Sequence, residues 1–282
     1  NPDYAYIHKT HYTDHLSGAD ITINKHGLRS PEIDMKKKDG TKRVMIMGDS
    51  VVFGWGVEQD SIFPIRLQKM LDKSGPEYEV IAAGVGSWNT RTEYEYFRSA
   101  GIEFDPDVLV LVIVANDIDP KPDGRTDISH DRLFAYTKRT GTPAHGLGDF
   151  ARDLKTSRSK LLQHIRYILT RRKVNKTTKQ FDDHSPQWED AQIALEKLIG
   201  LCKENDIAFV ACIYGYDDMV GSPPLSYYDR RLKQLAVPVV TLPEAIFTDR
   251  QYHNSIVDRH PNAAGHKLIA DELFTAIAPT TD

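Results

Sequence analysis

Four short segments of this 282-residue chain carry groups suited to moving an acyl group. Gly48-Asp49-Ser50 follows directly on the apolar run Val44-Met45-Ile46-Met47, which puts Ser50 at the carboxyl end of a strand, where open α/β sheets place ligand chemistry. Asp258-Arg259-His260 lies just before a helical pattern near the end of the chain. In an extended loop that spacing points both side chains the same way, so Asp258 can hold the His260 Nδ1–H and leave Nε2 as a base. Gly84-Val85-Gly86-Ser87-Trp88-Asn89-Thr90 is a small-residue turn that can expose backbone N–H groups, and Asn116-Asp117 ends the most apolar run with an amide side chain. Singly, each has an ordinary structural explanation: a helix-capping Ser, a turn, a structural Asp-His pair. Their convergence on one sheet edge is what points to chemistry.

The elements that would bring them there follow from periodicity. Apolar runs at 43–47, 79–82, 108–114, 207–213 and 237–241 alternate with stretches of helical spacing, the pattern of a parallel sheet covered by helices. The run at 108–114 is apolar without alternation, so both of its faces are covered and it is the expected sheet centre. Phe63, Leu67, Met70 and Leu71 form one helical stripe; Trp188, Ala191, Leu195, Leu198 and Cys202 form another, opened by Ser185-Pro186 as N-cap and first-turn proline. Ile269, Leu273 and Ala276 mark the last helix. The fold class expected is a three-layer α/β/α sandwich around a central five-stranded parallel sheet. An N-terminal arm, 1–42, is expected to pack on a domain spanning 43–282, with an insertion at about 119–184 that is rich in Pro and Gly and then basic. Between Arg152 and Lys179 stand ten Lys or Arg against one Asp, with an apolar stripe, the pattern of a basic amphipathic helix.

Composition sets the bounds. Lys and Arg number 36 against 40 Asp and Glu, a net charge of −4, which argues against a global nucleic-acid binder. The longest apolar run, 108–115, is far short of the ~20 residues a membrane-spanning helix requires. Cys202 and Cys212 match no zinc or redox spacing and read as buried packing.

In order, the four segments resemble the blocks of the SGNH (GDSL-type) hydrolase family, with the likeness covering about residues 26–118 and 235–276. The resemblance implies a flavodoxin-like sandwich and a serine esterase. It implies Ser50 as nucleophile, His260 as base, Asp258 as its orienting carboxylate, and an oxyanion hole from the Ser50 N–H, the region of Gly86 and Ser87, and Asn116. Three features depart from the family pattern. Val114 stands where the family usually has Gly; the final block is one residue shorter, Asp258-x-His260; and Gly84, Gly86 and Ser87 compete for the place of the family's glycine.

No cofactor or metal is required by this chemistry. His8, His11 and His15 have helical ligand spacing without a carboxylate or Cys in register, so a removable N-terminal arm is the better reading. Gly-x-Ser-x-Gly is absent around Ser50, and there is no phosphate-loop or His-Glu-x-x-His motif. Trp55 and Trp88 are candidates to line an acyl or sugar pocket, with core packing as the alternative. His266 is expected to cap or pack, and Asp49 and Asp117 to bond local backbone N–H groups. The leading expectation is a hydrolase of small O-acyl esters, including deacetylation of a glycan. An O-acyltransferase acting on a polysaccharide and a non-catalytic carbohydrate-binding module stand as alternatives. The family likeness suggests an extracytoplasmic protein whose N-terminal anchor has been removed, close to a membrane.

Overall fold

The computed structural model describes residues 4, 6–75, 77–118, 134–136, 185–215, 225–256 and 258–278. Its centre is the strand built from the unalternating run, Val108–Ile113, whose last five residues are buried. In chain order the strands are β1 (Tyr6–His8), β2 (Tyr12–Leu16), β3 (Ala19–Ile23), β4 (Lys42–Gly48), β5 (Tyr78–Gly84), β6 (Val108–Ile113), β7 (Phe134–Tyr136), β8 (Ala208–Ile213) and β9 (Val239–Val240). The α-helices are α1 (Ser50–Phe53), α2 (Phe63–Leu71), α3 (Thr90–Ser99), α4 (Pro186–Glu204), α5 (Ser226–Gln234), α6 (Ala245–Thr248) and α7 (Ala263–Ile277).

Five of the strands form one parallel sheet in the order β5-β4-β6-β8-β9. The chain starts at β4, steps outward to β5, then crosses back to β6 on the other side, so the order reverses between β4 and β6. A crevice opens at such a reversal, beyond the carboxyl ends of the strands. Parity along β4 divides the core: Met45 and Met47 pack with Trp88, Tyr96, Phe97, Trp188, Leu195 and Tyr228 on one face, while Val44 and Ile46 pack with Phe63, Leu67, Ile246, Ile269 and Leu273 on the other. Helices α3, α4 and α5 therefore form one layer and α2, α6 and α7 the opposite one, which makes the expected α/β/α sandwich.

Local chemistry places the helix starts. Ser185 Oγ accepts the Trp188 N–H at 3.4 Å with proline in the first turn of α4, and Asn262 caps α7 through the N–H groups of Ala264 and Gly265. Two buried free thiols, Cys202 and Cys212, fill core space, and burial pushes both up to about 12. The fifth strand is shorter than the apolar run at 237–241 suggests. Pro238 has no N–H for the ladder, and pairing starts only after it, at the sheet edge.

Residues before β4 are not a removable tail. β2 and β3 form an antiparallel hairpin turned at Ser17 and Gly18, both with positive φ, and β1 pairs with β7. Arg29, 1% exposed, donates to the carbonyls of Asp20, Phe53, Gly54 and Val57 and to Gln59, and so ties this region to the chain after Ser50. The helical spacing of His8, His11 and His15 does not form a helix: His8 is buried in β1, His11 takes φ +50°, and exposed His15 pairs with Asp20. No group of three potential metal ligands occurs among the described residues. No helix among them is long and apolar enough to cross a membrane. The expected basic helix of 152–179, and nearly all of the insertion, lie outside the described residues.

Candidate active site

Gly48 ends β4 and the chain turns at once into α1, which puts Ser50 on the lip of the crevice. A Cβ at Gly48 would lie 2.6 Å from Val52 and 3.0 Å from the Val112 carbonyl, so the turn needs glycine for close approach. Asp49 is the N-cap of α1: its Oδ1 accepts the Val51 N–H at 2.9 Å, and its Oδ2 lies 3.2 Å from the Ser50 hydroxyl.

Across the crevice, residues 253–256 and 258–261 close on one another. His253 bridges to Pro261, the Asn254 N–H donates to the His260 carbonyl, and the Ser255 N–H donates to the Asp258 carbonyl. Among them Asp258 Oδ1 accepts from His260 Nδ1 at 2.6 Å and from the His260 N–H at 3.1 Å. The other ring nitrogen, Nε2, stands 2.9 Å from Ser50 Oγ, 210 positions away in sequence. With Nδ1 protonated and donating to Asp258, Nε2 is the acceptor for the Ser50 hydroxyl. The shorter final block therefore reaches the needed contact, because one carboxylate oxygen is shared between ring and backbone of the same residue. Asp258 sits below the ordinary carboxylate range: partial burial raises it, but bonds and charge from His260, then Asn254, outweigh that.

The opposite wall is made of the two remaining segments. Gly84 packs its backbone on α1, where a Cβ would lie 2.2 Å from the Phe53 nitrogen, so this glycine serves packing. Of Gly84, Gly86 and Ser87, only Ser87 holds a left-handed backbone, φ +64°, the conformation that favours glycine. Neither Gly86 nor Ser87 donates its N–H to another backbone carbonyl among the described residues. Asn116 Nδ2 lies 3.4 Å from the Trp88 carbonyl, and the Asn116 amide also hydrogen-bonds Asp49. Asp117 turns the chain after β6, its Oδ2 accepting the Val114 N–H at 2.9 Å. Val114 is buried in the core cluster that holds Val112 and Tyr214.

The two tryptophans part company. Trp55 is half-buried with its ring 6.5 Å from the His260 ring. Trp88 is 0% exposed and donates its indole N–H to the Tyr6 carbonyl at 3.1 Å. The expectation that Trp88 lines a substrate pocket is thus corrected: it is core, tilted against Tyr96. A separate cavity of about 320 Å³, bordered by Tyr4, Met35, Tyr96 and Phe104, shares no residue with the Ser50 crevice.

A model of the GDSL-like lipase/acylhydrolase family matches residues 46–268, from β4 into the final helix. The chain belongs to this family. As a member it is a serine esterase or acylhydrolase. Solved structures agree on the fold. The psychrotrophic esterase EstA from Pseudoalteromonas sp., in a structure inhibited by monoethylphosphonate, is 13% identical over 85% of this chain and 97% of its own, with TM-score 0.52. TesA is 12% identical over 84% of this chain and 99% of its own, with TM-score 0.54. No curated protein matches in sequence.

Two site neighbours, Asn254 and Glu93, have no sequence signal, while His266 packs as expected. Asn254 Nδ2 donates to the Trp55 carbonyl at 2.7 Å and lies 3.4 Å from Asp258 Oδ2, so it links the chain after α1 to the His260 loop. Gly56 leaves room for it, since a Cβ there would lie 2.6 Å from Asn254 Nδ2. His266 accepts the Phe63 N–H at 3.0 Å and stacks on Phe63, and burial lowers it to about 3, which keeps it neutral in the core. Glu93 of α3 is fully buried with no hydrogen-bond partner for either carboxyl oxygen among the described residues. Burial, then the charge of Asp49, holds Glu93 well above the ordinary range; Asp117 is likewise raised by burial, then by Glu93 and Asp49. Lone acidic residues inside a helix carry no mark of burial, so only the packed structure finds them.

Proposed function

We propose that the chain cleaves small O-acyl esters through Ser50, with His260 as general base and Asp258 as its orienting partner. The observation that supports this best is the unbroken line Asp258 Oδ1 to His260 Nδ1 at 2.6 Å and His260 Nε2 to Ser50 Oγ at 2.9 Å. As the Ser50 oxygen bonds to the ester carbonyl carbon, its proton passes to Nε2. The imidazolium is stabilised by ionised Asp258. Collapse of the tetrahedral intermediate breaks the carbon–alkoxy bond, and Nε2 returns the proton to the leaving alcohol. Water then repeats the sequence on the acyl-enzyme and frees the acid. Charge on the carbonyl oxygen is met by the Ser50 N–H, an N–H of the turn at Gly86 and Ser87, and the Asn116 amide.

The substrate we infer is an acyl ester of a sugar hydroxyl, such as a glycan acetate. Because His260 hands its proton to the departing alcohol, whatever stands beside His260 meets the alcohol half of the ester. Trp55 stands there, and an indole face suits the apolar face of a sugar ring. Purified protein is given acetylated oligosaccharide and p-nitrophenyl acetate, with products followed by mass spectrometry, beside Ser50→Ala. Release of acetate that Ser50→Ala abolishes is the expected result. Acetylation of an oligosaccharide acceptor would move the reading to an acyltransferase, and undiminished turnover by Ser50→Ala would remove it.

A further inference from the structure

The turn bearing Ser87 is gripped from outside the sheet, and we propose that Tyr6 of β1 is a positioning residue for the oxyanion-binding N–H at that turn; the inference rests on the reading of Ser50 given above. The Tyr6 hydroxyl donates to the Gly86 carbonyl at 2.9 Å, and the Tyr6 carbonyl accepts the Trp88 indole N–H at 3.1 Å. One residue thus holds the turn on both sides of Ser87. Both Tyr6 and Trp88 are 0% exposed, and the indole bond is buried throughout, which shields it from water.

The consequence follows from peptide geometry. The peptide between Gly86 and Ser87 is trans, and in a planar trans peptide the C=O and the N–H point in opposite directions. Fixing the Gly86 oxygen against Tyr6 therefore fixes the direction in which the Ser87 N–H points. That anchor matters because Ser87 sits at φ +64°, a backbone region from which a non-glycine residue relaxes unless its surroundings hold it. On the far side the Trp88 carbonyl meets Asn116 Nδ2 at 3.4 Å, so the same turn also steadies the third oxyanion donor. Tyr6 acts through the turn and touches no substrate.

Tyr6→Phe removes one oxygen and keeps the ring in the core. With p-nitrophenyl acetate, kcat is expected to fall about tenfold while KM stays within about twofold, since a misdirected donor weakens transition-state binding more than ground-state binding. The acid limb of the pH profile is expected to be unmoved, because His260 and Asp258 lie on the other wall. Adding Ser87→Gly to Tyr6→Phe should restore part of the lost kcat, since glycine takes the left-handed conformation without help; a merely structural loss would not respond. Unchanged kcat in Tyr6→Phe overturns the proposal, as does a loss shared by KM and melting temperature that Ser87→Gly leaves untouched. Ser50→Ala, measured alongside, separates the two claims: an inactive Ser50→Ala with a fully active Tyr6→Phe defeats only the role of Tyr6, whereas turnover by Ser50→Ala defeats the site itself.

Discussion

Two walls face Ser50, and their carboxyl groups are shifted in opposite directions. On the His260 side, Asp258 is one-third exposed, bonded through one oxygen to both the ring Nδ1 and the backbone N–H of His260, and shifted below the ordinary range. On the other side Asp49, Glu93 and Asp117 are all but fully buried, and burial raises all three above it; Asp49 adds to the shift of Glu93, and Glu93 and Asp49 add to that of Asp117. The wall that moves protons needs a fixed negative charge beside an imidazole. In the proposed reaction the wall that receives an oxyanion is better served by acids whose charge is disfavoured, because a carboxylate behind the donors would oppose the developing negative charge.

Substitutions on the two walls sharpen this contrast. The largest effect is expected from Asp258→Asn, which keeps shape but favours the wrong histidine tautomer; kcat for p-nitrophenyl acetate should fall by about 10⁴-fold with the melting temperature little changed. A fall of less than tenfold would mean that the charge of Asp258 is not used. Asn116→Ala should lower kcat by about 10²–10³-fold with a smaller change in KM. Equal effects on both constants would make Asn116 a ground-state contact instead.

Glu93→Gln comes next and is read in stability against pH. The folded protein keeps a proton on Glu93 at pH values where the unfolded chain has lost it. Stability should therefore decline as pH rises from the ordinary carboxylate range toward the raised folded value, because the native state binds more protons there. Glu93→Gln removes that decline, so its melting temperature should gain on the wild type as pH rises above the ordinary carboxylate range. Parallel curves would mean that Glu93 is ionised in the fold. The smallest effect belongs to Ser87→Gly, expected to shift stability by no more than about 1 kcal/mol while retaining activity, since relief of left-handed strain is offset by the greater freedom of the unfolded chain. Calorimetry resolves a change of that size.

The wall that carries Asp258 and His260 was the easier to read from sequence. Ser50, Asp258 and His260 stand at element ends where the chemistry of each side chain is its own signal, and the run at 108–113 declares a central strand because both faces are apolar. The frame behind the oxyanion wall was not legible. Trp88 next to a motif looks the same whether it lines a pocket or fills the core, and only its 0% exposure decides. Glu93 and Tyr6 meet their partners through tertiary packing, the Tyr6–Gly86 contact spanning 80 positions. The hairpin at Ser17-Gly18 did carry a signal, a Ser-Gly pair between the alternating residues Tyr12, Asp14, Leu16 and Ala19, Ile21, Ile23, in a stretch where three histidines suggested other chemistry.

The central claim, that Ser50 is a nucleophile activated by His260, is tested most directly by intact-mass analysis after treatment with a fluorophosphonate, followed by peptide mapping. One phosphonyl adduct on Ser50, lost in Ser50→Ala and strongly slowed in His260→Ala, is the expected result. An unmodified Ser50, or labelling that proceeds at full rate without His260, would contradict it.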